Sequence, residues 1–285
     1  MTLSAPSRMR QDRADQTRSK ILRAAVREFS AHGLSGARTD AIAESAKVNK
    51  ALLYYYFTSK QKLYAAAIEE VSAKVTENAL AALNPRFSAG ERLLRSALNH
   101  FDRILTQREF QSLMQQEMVR FQRGDRGSLP VFLRTIFGPV LEKLCDAVHE
   151  GIRTGELCEV DWLQVMYSIF GANVFYFLSA PLLETALPFK PFDHGALKLR
   201  RKAAVEFLGN ALFKDRVHGA KVAKLVLADM PMPRAKNIRD RMEKFHARRK
   251  DLRTHGTEYS YSSASCSSSR SAGTCLRPIV RATCS

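Results

Sequence analysis

The sequence predicts an all-α fold. Apolar residues recur every three to four positions through most of the chain up to Phe213, the spacing of one helix face. No segment sustains the period-two alternation of a half-buried strand. A hydrophobic fraction of 45% over 285 residues supplies a core of ordinary size for one or two domains.

Each element has its own local signal. Ile21, Leu22, Ala25, Val26 and Phe29 lay one apolar face along a helix from Gln16 to His32, and Gly33 stops it. Thr39, a good N-cap type, opens a short helix to Ala46. Asn49 caps a second short helix, Lys50 to Phe57. Ser59 caps a long one through Leu63, Ala67, Ile68 and Val71 to about Leu83, where Asn84-Pro85 breaks it. Further helices are expected at 90–106, 109–122, 130–153, 160–187 and 195–213, punctuated by Gly124, Gly127, Gly155 and Pro188. From about Asp229 the chain turns charged and then Ser-rich. Such a segment buries too little apolar surface to order itself, so 229–285 is read as a disordered or loosely helical tail.

The net charge of +17 is unevenly placed. Residues 1–62 hold 12 basic and 5 acidic side chains, residues 63–213 hold 17 of each, and residues 214–285 hold 16 basic and 6 acidic. A neutral middle between two basic ends argues against a uniformly basic coat protein. It points to polyanion-binding segments attached to a neutral body. Five cysteines (145, 158, 266, 275 and 284) show no CxxC or Cys/His spacing, which excludes a zinc finger or disulfide scaffold and suits a reducing cytosol. The N-terminal residues lack an apolar h-region, so no secretory signal is expected. Residues 162–183 carry no charge for 22 positions, long enough for a bilayer, but Gln164, Ser168, Asn173 and Ser179 also suit a buried subunit interface.

Residues 17–63 carry the chemistry. They read as three helices, the second and third joined only by Ala46-Lys47-Val48-Asn49. That is a helix-turn-helix, whose second member enters the DNA major groove. Ile42, Ala43, Val48, Leu53 and Phe57 are spaced to meet Ile21, Ala25 and Phe29. Tyr54, Tyr55 and Tyr56 are about 100° apart on the helix, so at least one is exposed. The basic surplus supplies sequence-independent attraction to DNA. Arg8, Arg10 and Arg13 are either a minor-groove arm or a solvated leader.

This segment resembles the DNA-binding domain of the TetR family of bacterial transcriptional regulators. Thr17-Arg18, Ile21-Leu22, Ala24-Ala25, Phe29 and Gly33 match the first part of the family pattern. Thr39, Ile42-Ala43, Ala46, Val48, Leu53-Tyr54, Tyr56-Phe57, Lys60 and Leu63 match the second. The resemblance implies DNA contacts at Thr39, Lys50, Ala51, Leu52, Tyr54, Tyr55, Tyr56 and Lys60. Thr39 would cap its helix and bind phosphate, Lys50 would reach bases or phosphate, and Ala51 and Leu52 would lie on the groove floor. Tyr54 and Tyr55 would meet phosphates or thymine methyls, with Tyr56 and Lys60 on the backbone. Two positions depart from the pattern. Lys47 stands where the family has Gly, and carries strain if positive φ is needed. Leu52 stands where a small or polar residue is usual, and either reads a thymine methyl or folds back onto the domain.

The resemblance further implies a domain plan: DNA binding at 14–74, a ligand-binding and dimerisation body at 75–228, then the tail. Homodimerisation through 160–187 and 195–213 would bury the uncharged run, remove the need for a membrane, and match a palindromic operator on double-stranded DNA. Leu197, Ala204, Phe207, Leu208, Ala211 and Leu212 are the face expected on the second of those helices. A small apolar or aromatic effector would sit among Phe101, Met114, Met118, Phe121, Phe137, Trp162, Met166, Tyr167 and Tyr176. The expected function is a ligand-released repressor in the bacterial cytoplasm, nucleoid-associated when DNA-bound. The alternatives are a sequence-independent DNA-coating protein or an enzyme with an unrecognised site. No P-loop, GxSxG, HExxH or Gly-rich dinucleotide turn occurs, so no catalytic residue, cofactor or metal is expected.

Overall fold

The computed structural model describes residues 5–125, 133–188 and 190–233. Helix α1 (Ala5–Gly36) is followed by α2 (Thr39–Ala46), α3 (Lys50–Phe57), α4 (Lys60–Ala82), α5 (Ala89–Thr106) and α6 (Arg108–Gln122). A π-helical turn (Leu133–Phe137) leads into α7 (Gly138–Thr154), then α8 (Trp162–Ala186), α9 (His194–Leu212) and α10 (Arg216–Asp229). Among the described residues the only β feature is an isolated antiparallel bridge between Leu157 and Phe213.

Local chemistry explains the boundaries. Asn49 and Ser59 cap α3 and α4 through side-chain oxygens that accept from Leu52 N and Lys62 N. Ser88 and Asp161 do the same for α5 and α8. Gly33 leaves helical geometry at φ 69°, a conformation glycine adopts without a Cβ penalty, so α1 bends where a stop is expected. At its other end α1 starts at Ala5, well before Gln16. The Met, Arg, Gln and Ala residues there favour helix, and Gln11 bonds Asp15 one turn on. The leader containing Arg13 is therefore helical. Of the helix expected at 130–153, residues 130–132 lie outside the described residues, 133–137 form the π-helical turn, and the α-helix begins at Gly138, where Pro139 suits the first turn.

Three buried clusters form. The first joins α1 to α4 through Ile21, Phe29, Ile42, Leu53, Phe57 and Leu63, and admits Leu113 from α6. The second and third surround α5, which packs against α4, α6, α7, α8, α9 and α10. Leu94, Leu98, Leu144, Val148 and Val205 fill one, and Phe101, Ile104, Phe177 and Leu197 the other. Each such side chain contributes about 1.5–3 kcal/mol on burial.

Three features go beyond or correct the sequence reading. Residues 216–229 form a helix not marked in the sequence. Val222, Ala223 and Val226 bury against α5 and α9, and Gly209 and Gly219 let α9 and α10 meet backbone to backbone. Arg201, one of four basic residues opening the 195–213 helix, is buried and makes a two-pronged ion pair with Asp102, Nε–Oδ1 2.9 Å and Nη2–Oδ2 2.8 Å. The apolar face expected on α9 is divided. Leu197, Leu208 and Leu212 enter the chain's own core, whereas Phe207 is exposed. Of the tail read as 229–285, Asp229 instead ends α10 and pairs with Arg95 at 2.6 Å, and residues 234 onward lie outside the described residues.

Candidate nucleic-acid interface and ligand cavity

The turn between α2 and α3 is made by one residue in a left-handed conformation. Lys47 has φ 57° and ψ 45°, and its N–H bonds the Glu44 carbonyl at 3.0 Å. Val48 N bonds Ala43 O at 3.0 Å. The turn thus requires the positive φ for which the sequence pattern favours glycine. Leu53 and Phe57 anchor α3 to the core, which fixes the direction of its other faces.

On those faces Lys50, Ala51 and Tyr55 are exposed, Tyr55 at 79%. Tyr54 and Tyr56 are half-buried against the core, with Tyr56 edge-on to Tyr55 at 5.5 Å. Leu52 is half-buried without packing on that core. Its backbone N–H is taken by Asn49 at 2.7 Å.

Four predicted contact residues already hold protein partners. Lys50 Nζ lies 2.9 Å from Asp40, an exposed pair across the helix-turn-helix. The hydrogen bond from Lys50 lowers the Asp40 carboxyl below the usual range, and Asp40 raises Lys50. Lys60 Nζ donates to Ser35 O at 3.2 Å. Tyr54 Oη donates to Thr39 Oγ1 at 3.3 Å. Thr39 is not the N-cap. Arg38 is, with extended φ −113°, ψ 123° and no side-chain capping bond, so Thr39 is the first helical residue and its hydroxyl turns to Tyr54. Arg38 and Asp40 flank this surface and escaped the sequence reading, as did Thr58, whose φ of 53° closes α3.

A cavity of about 370 Å³ opens in the body. Val75 and Ala79 of α4, Ser96, Asn99, His100 and Arg103 of α5, and Met118 of α6 form one side. Leu133, Phe137, Val140, Leu141, Met166 and Phe170 form the other. His100 is buried, and its Nδ1 lies 3.4 Å from Asn173 Nδ2. Asn173 Nδ2 also donates to Ala97 O at 3.0 Å, so it is the amide nitrogen and His100 Nδ1 must accept. Burial, then the Arg103 charge, holds His100 well below the ordinary histidine range, so it is neutral. Burial pushes the Arg103 guanidinium down to about 10.

Residues 21–67 match the family described as bacterial regulatory proteins, tetR family, which is the stretch just described. Residues 21–67 are thus similar to the DNA-binding domain of that family. The HTH-type transcriptional repressor NicS of Pseudomonas putida is 42% identical over 69 residues, which is 24% of this chain and 32% of NicS. The match thus spans about a third of that relative's length. Among solved structures, a gamma-butyrolactone receptor (ArpA-like protein) superposes with TM-score 0.56 at 18% identity, covering 76% of this chain and all of that one. A transcriptional regulator of Saccharomonospora viridis, solved with choline, gives TM-score 0.56 at 16% identity over 70% of this chain and all of that one. These two likenesses show the fold: an N-terminal helix-turn-helix domain on a helical body. The TetR-family model and the matched relatives describe regulators of transcription.

Within the helical body the nine residues expected to line a ligand site part company. Met118, Phe137 and Met166 line the cavity. Phe101, next to the cavity's His100 but about 100° round the helix, points into the third cluster. Met114 packs on the N-terminal core and Trp162 on the second cluster. Tyr167, beside Met166, and Phe121 face solvent. Tyr176 is half-buried and its hydroxyl donates to Pro191 O at 2.5 Å. Sequence reasoning missed His100 and Arg103. Their one signal is polar residues one turn apart or less on the most apolar-faced helix of the body.

Proposed function

We propose that the protein is a transcriptional repressor that binds a palindromic operator as a homodimer and is released by a small ligand in the body's cavity. The observation that carries this reading is the solvent-facing side of α3, where Lys50, Ala51 and Tyr55 stand clear of a rigid core. An exposed helix of this kind, on a basic domain, has the shape and charge of a major-groove reader.

A single such helix reads only a few base pairs, so a two-fold pair is needed. Helix α8 supports one. Leu163, Tyr167, Phe175, Leu178 and Leu182 form an exposed apolar stripe at helical spacing, and α9 adds Leu199 and Phe207. By length and composition α8 would also cross a bilayer, with 28% of its apolar window buried. Burial against a second copy accounts for the stripe without a membrane, and fits a regulator working in the cytoplasm.

Ligand control needs a path. Met118 of α6 lines the cavity, and the same helix grips the DNA-binding domain: Ser112 Oγ and Gln116 Nε2 donate to Ser30 O at 2.6 and 3.1 Å. A ligand that favours a shifted α6 would move population toward a dimer mis-spaced for its two half-sites. Sequencing of DNA selected by the purified protein tests the reading. A two-fold motif is expected. Equal affinity for random DNA overturns it in favour of a coating protein.

A further inference from the structure

We infer that the cavity takes a small molecule with an apolar body and a single carboxylate, and that Arg103 holds the carboxylate. The inference rests on reading the cavity as the ligand site and adds the chemical class of its occupant.

The fully buried arginines of the body are paired with carboxylates, whereas half-buried Arg200, outside the cavity lining, has none and donates to Ala172 O at 3.2 Å. Arg92 meets Glu150, Arg95 meets Glu91 at 2.7 Å and Asp229 at 2.6 Å, and Arg201 meets Asp102. Arg103 has no carboxylate partner among the described residues. Its guanidinium lies 5.0 Å from the centre of the Phe110 ring and borders the cavity. A desolvated cation without a counter-charge is costly, and an anion entering from solution removes that cost. The planar guanidinium presents paired N–H donors that match a carboxylate.

The rest of the lining agrees. Among the described residues no Asp or Glu borders the cavity, so a cationic ligand would find repulsion and no partner. His100 is fixed as the tautomer with its proton on Nε2, because Nδ1 accepts from Asn173. It is therefore a second donor one turn from Arg103. The opposite walls, Leu141, Met166 and Phe170 among them, offer only apolar surface. The volume of about 370 Å³ suits a compact body in the range of small-molecule sites.

Isothermal calorimetry on the DNA-free full chain tests this with matched probes: 2-naphthoate, decanoate, their neutral amides, and naphthalen-2-ylmethylamine as the cation. Either carboxylate is expected to bind about tenfold or more tightly than its amide, the size of one charge-assisted pair, and the amine not at all. Arg103→Gln is expected to abolish the acid-over-amide preference while amide binding stays, and Arg103→Lys to keep part of it. Equal binding of acid and amide by the wild-type chain, tighter binding of the amine, no binding of either acid at millimolar concentration, or an unchanged preference in Arg103→Gln would each overturn the inference. The wild-type comparison needs no variant to fold. A carboxylate that binds but leaves an operator complex intact would count against ligand-released repression and not against the ligand class.

Discussion

The phenol of Tyr64 donates to Oε1 of Glu117 at 2.8 Å, with both side chains buried, and so ties α4 of the DNA-binding domain to α6 of the body. Burial, then the bond to Glu117, raises the Tyr64 pKa, which keeps the hydroxyl protonated as a donor. Arg120 donates to the same carboxylate oxygen. Tyr64→Phe leaves Glu117 short of one donor, and a loss of about 1–3 kcal/mol is expected in urea unfolding. If α6 transmits ligand binding, the variant also needs more ligand to release DNA. An unchanged urea midpoint would show that Arg120 alone satisfies the carboxylate.

Lys47 occupies the left-handed region that costs a non-glycine residue about 1 kcal/mol. Lys47→Gly is therefore expected to raise the unfolding midpoint by up to that amount. It also removes a positive charge beside the DNA-facing helix. A phosphate contact there would show as a salt dependence of DNA binding shallower by about one. A lower midpoint would mean that the lysine side chain contributes more than its backbone costs.

Asp40 is a negative charge on a surface meant for a polyanion, and it holds Lys50 at 2.9 Å. Asp40→Asn frees the lysine and removes the repulsion. Non-specific DNA affinity at low salt is expected to rise several-fold, and the gain to shrink at high salt. A loss of affinity would instead mean that Asp40 positions Lys50 for DNA.

Gly219 lies where α10 crosses α9, and a Cβ there would overlap the carbonyl oxygen of Gly209. Alanine is the better helix former by about 1 kcal/mol. Overpacking against backbone outweighs that, and Gly219→Ala is expected to lose about 1–3 kcal/mol by thermal or urea unfolding. A stabilised variant would show that the two helices separate easily.

His100 gives a pH dependence with a defined sign. Its folded pKa lies well below 6.5, so the unfolded chain binds more protons between those values. Stability is then full above about pH 6.5 and falls as the pH drops below it. His100→Gln, which keeps a polar group without the titration, is expected to flatten the loss between about pH 6.5 and 5. Parallel curves for the two proteins would assign the acid sensitivity to other groups.

What the sequence disclosed followed how local each interaction is. Asn49 and Ser59 were legible as caps because their partners, Leu52 and Lys62, are three residues on. Lys47 was legible because its place in a short turn sets its φ. Thr39 was misjudged by one residue, since its hydroxyl is drawn to Tyr54, fifteen positions away in sequence. Arg201 was hidden in a basic run because Asp102 lies 99 positions away. The helix at 216–229 carries apolar residues on more than one face, and only its packing on α5 and α9 buries Val222, Ala223 and Val226 while Val217 and Leu225 stay exposed. The cavity was least legible. Neighbours such as Met166 and Tyr167 differ in chemistry little, and only the rotation of α8 sends one inward and the other to solvent.

The grip of α6 on α1 has a genetic consequence. Ser112 and Gln116 both fasten to the carbonyl of Ser30, a main-chain atom that every amino acid supplies. Substitution at position 30 leaves that acceptor in place as long as the helix holds. Variation in this particular joint must therefore arise at Ser112 and Gln116. In a screen for variants with altered response, positions 112 and 116 should recur and position 30 should be silent.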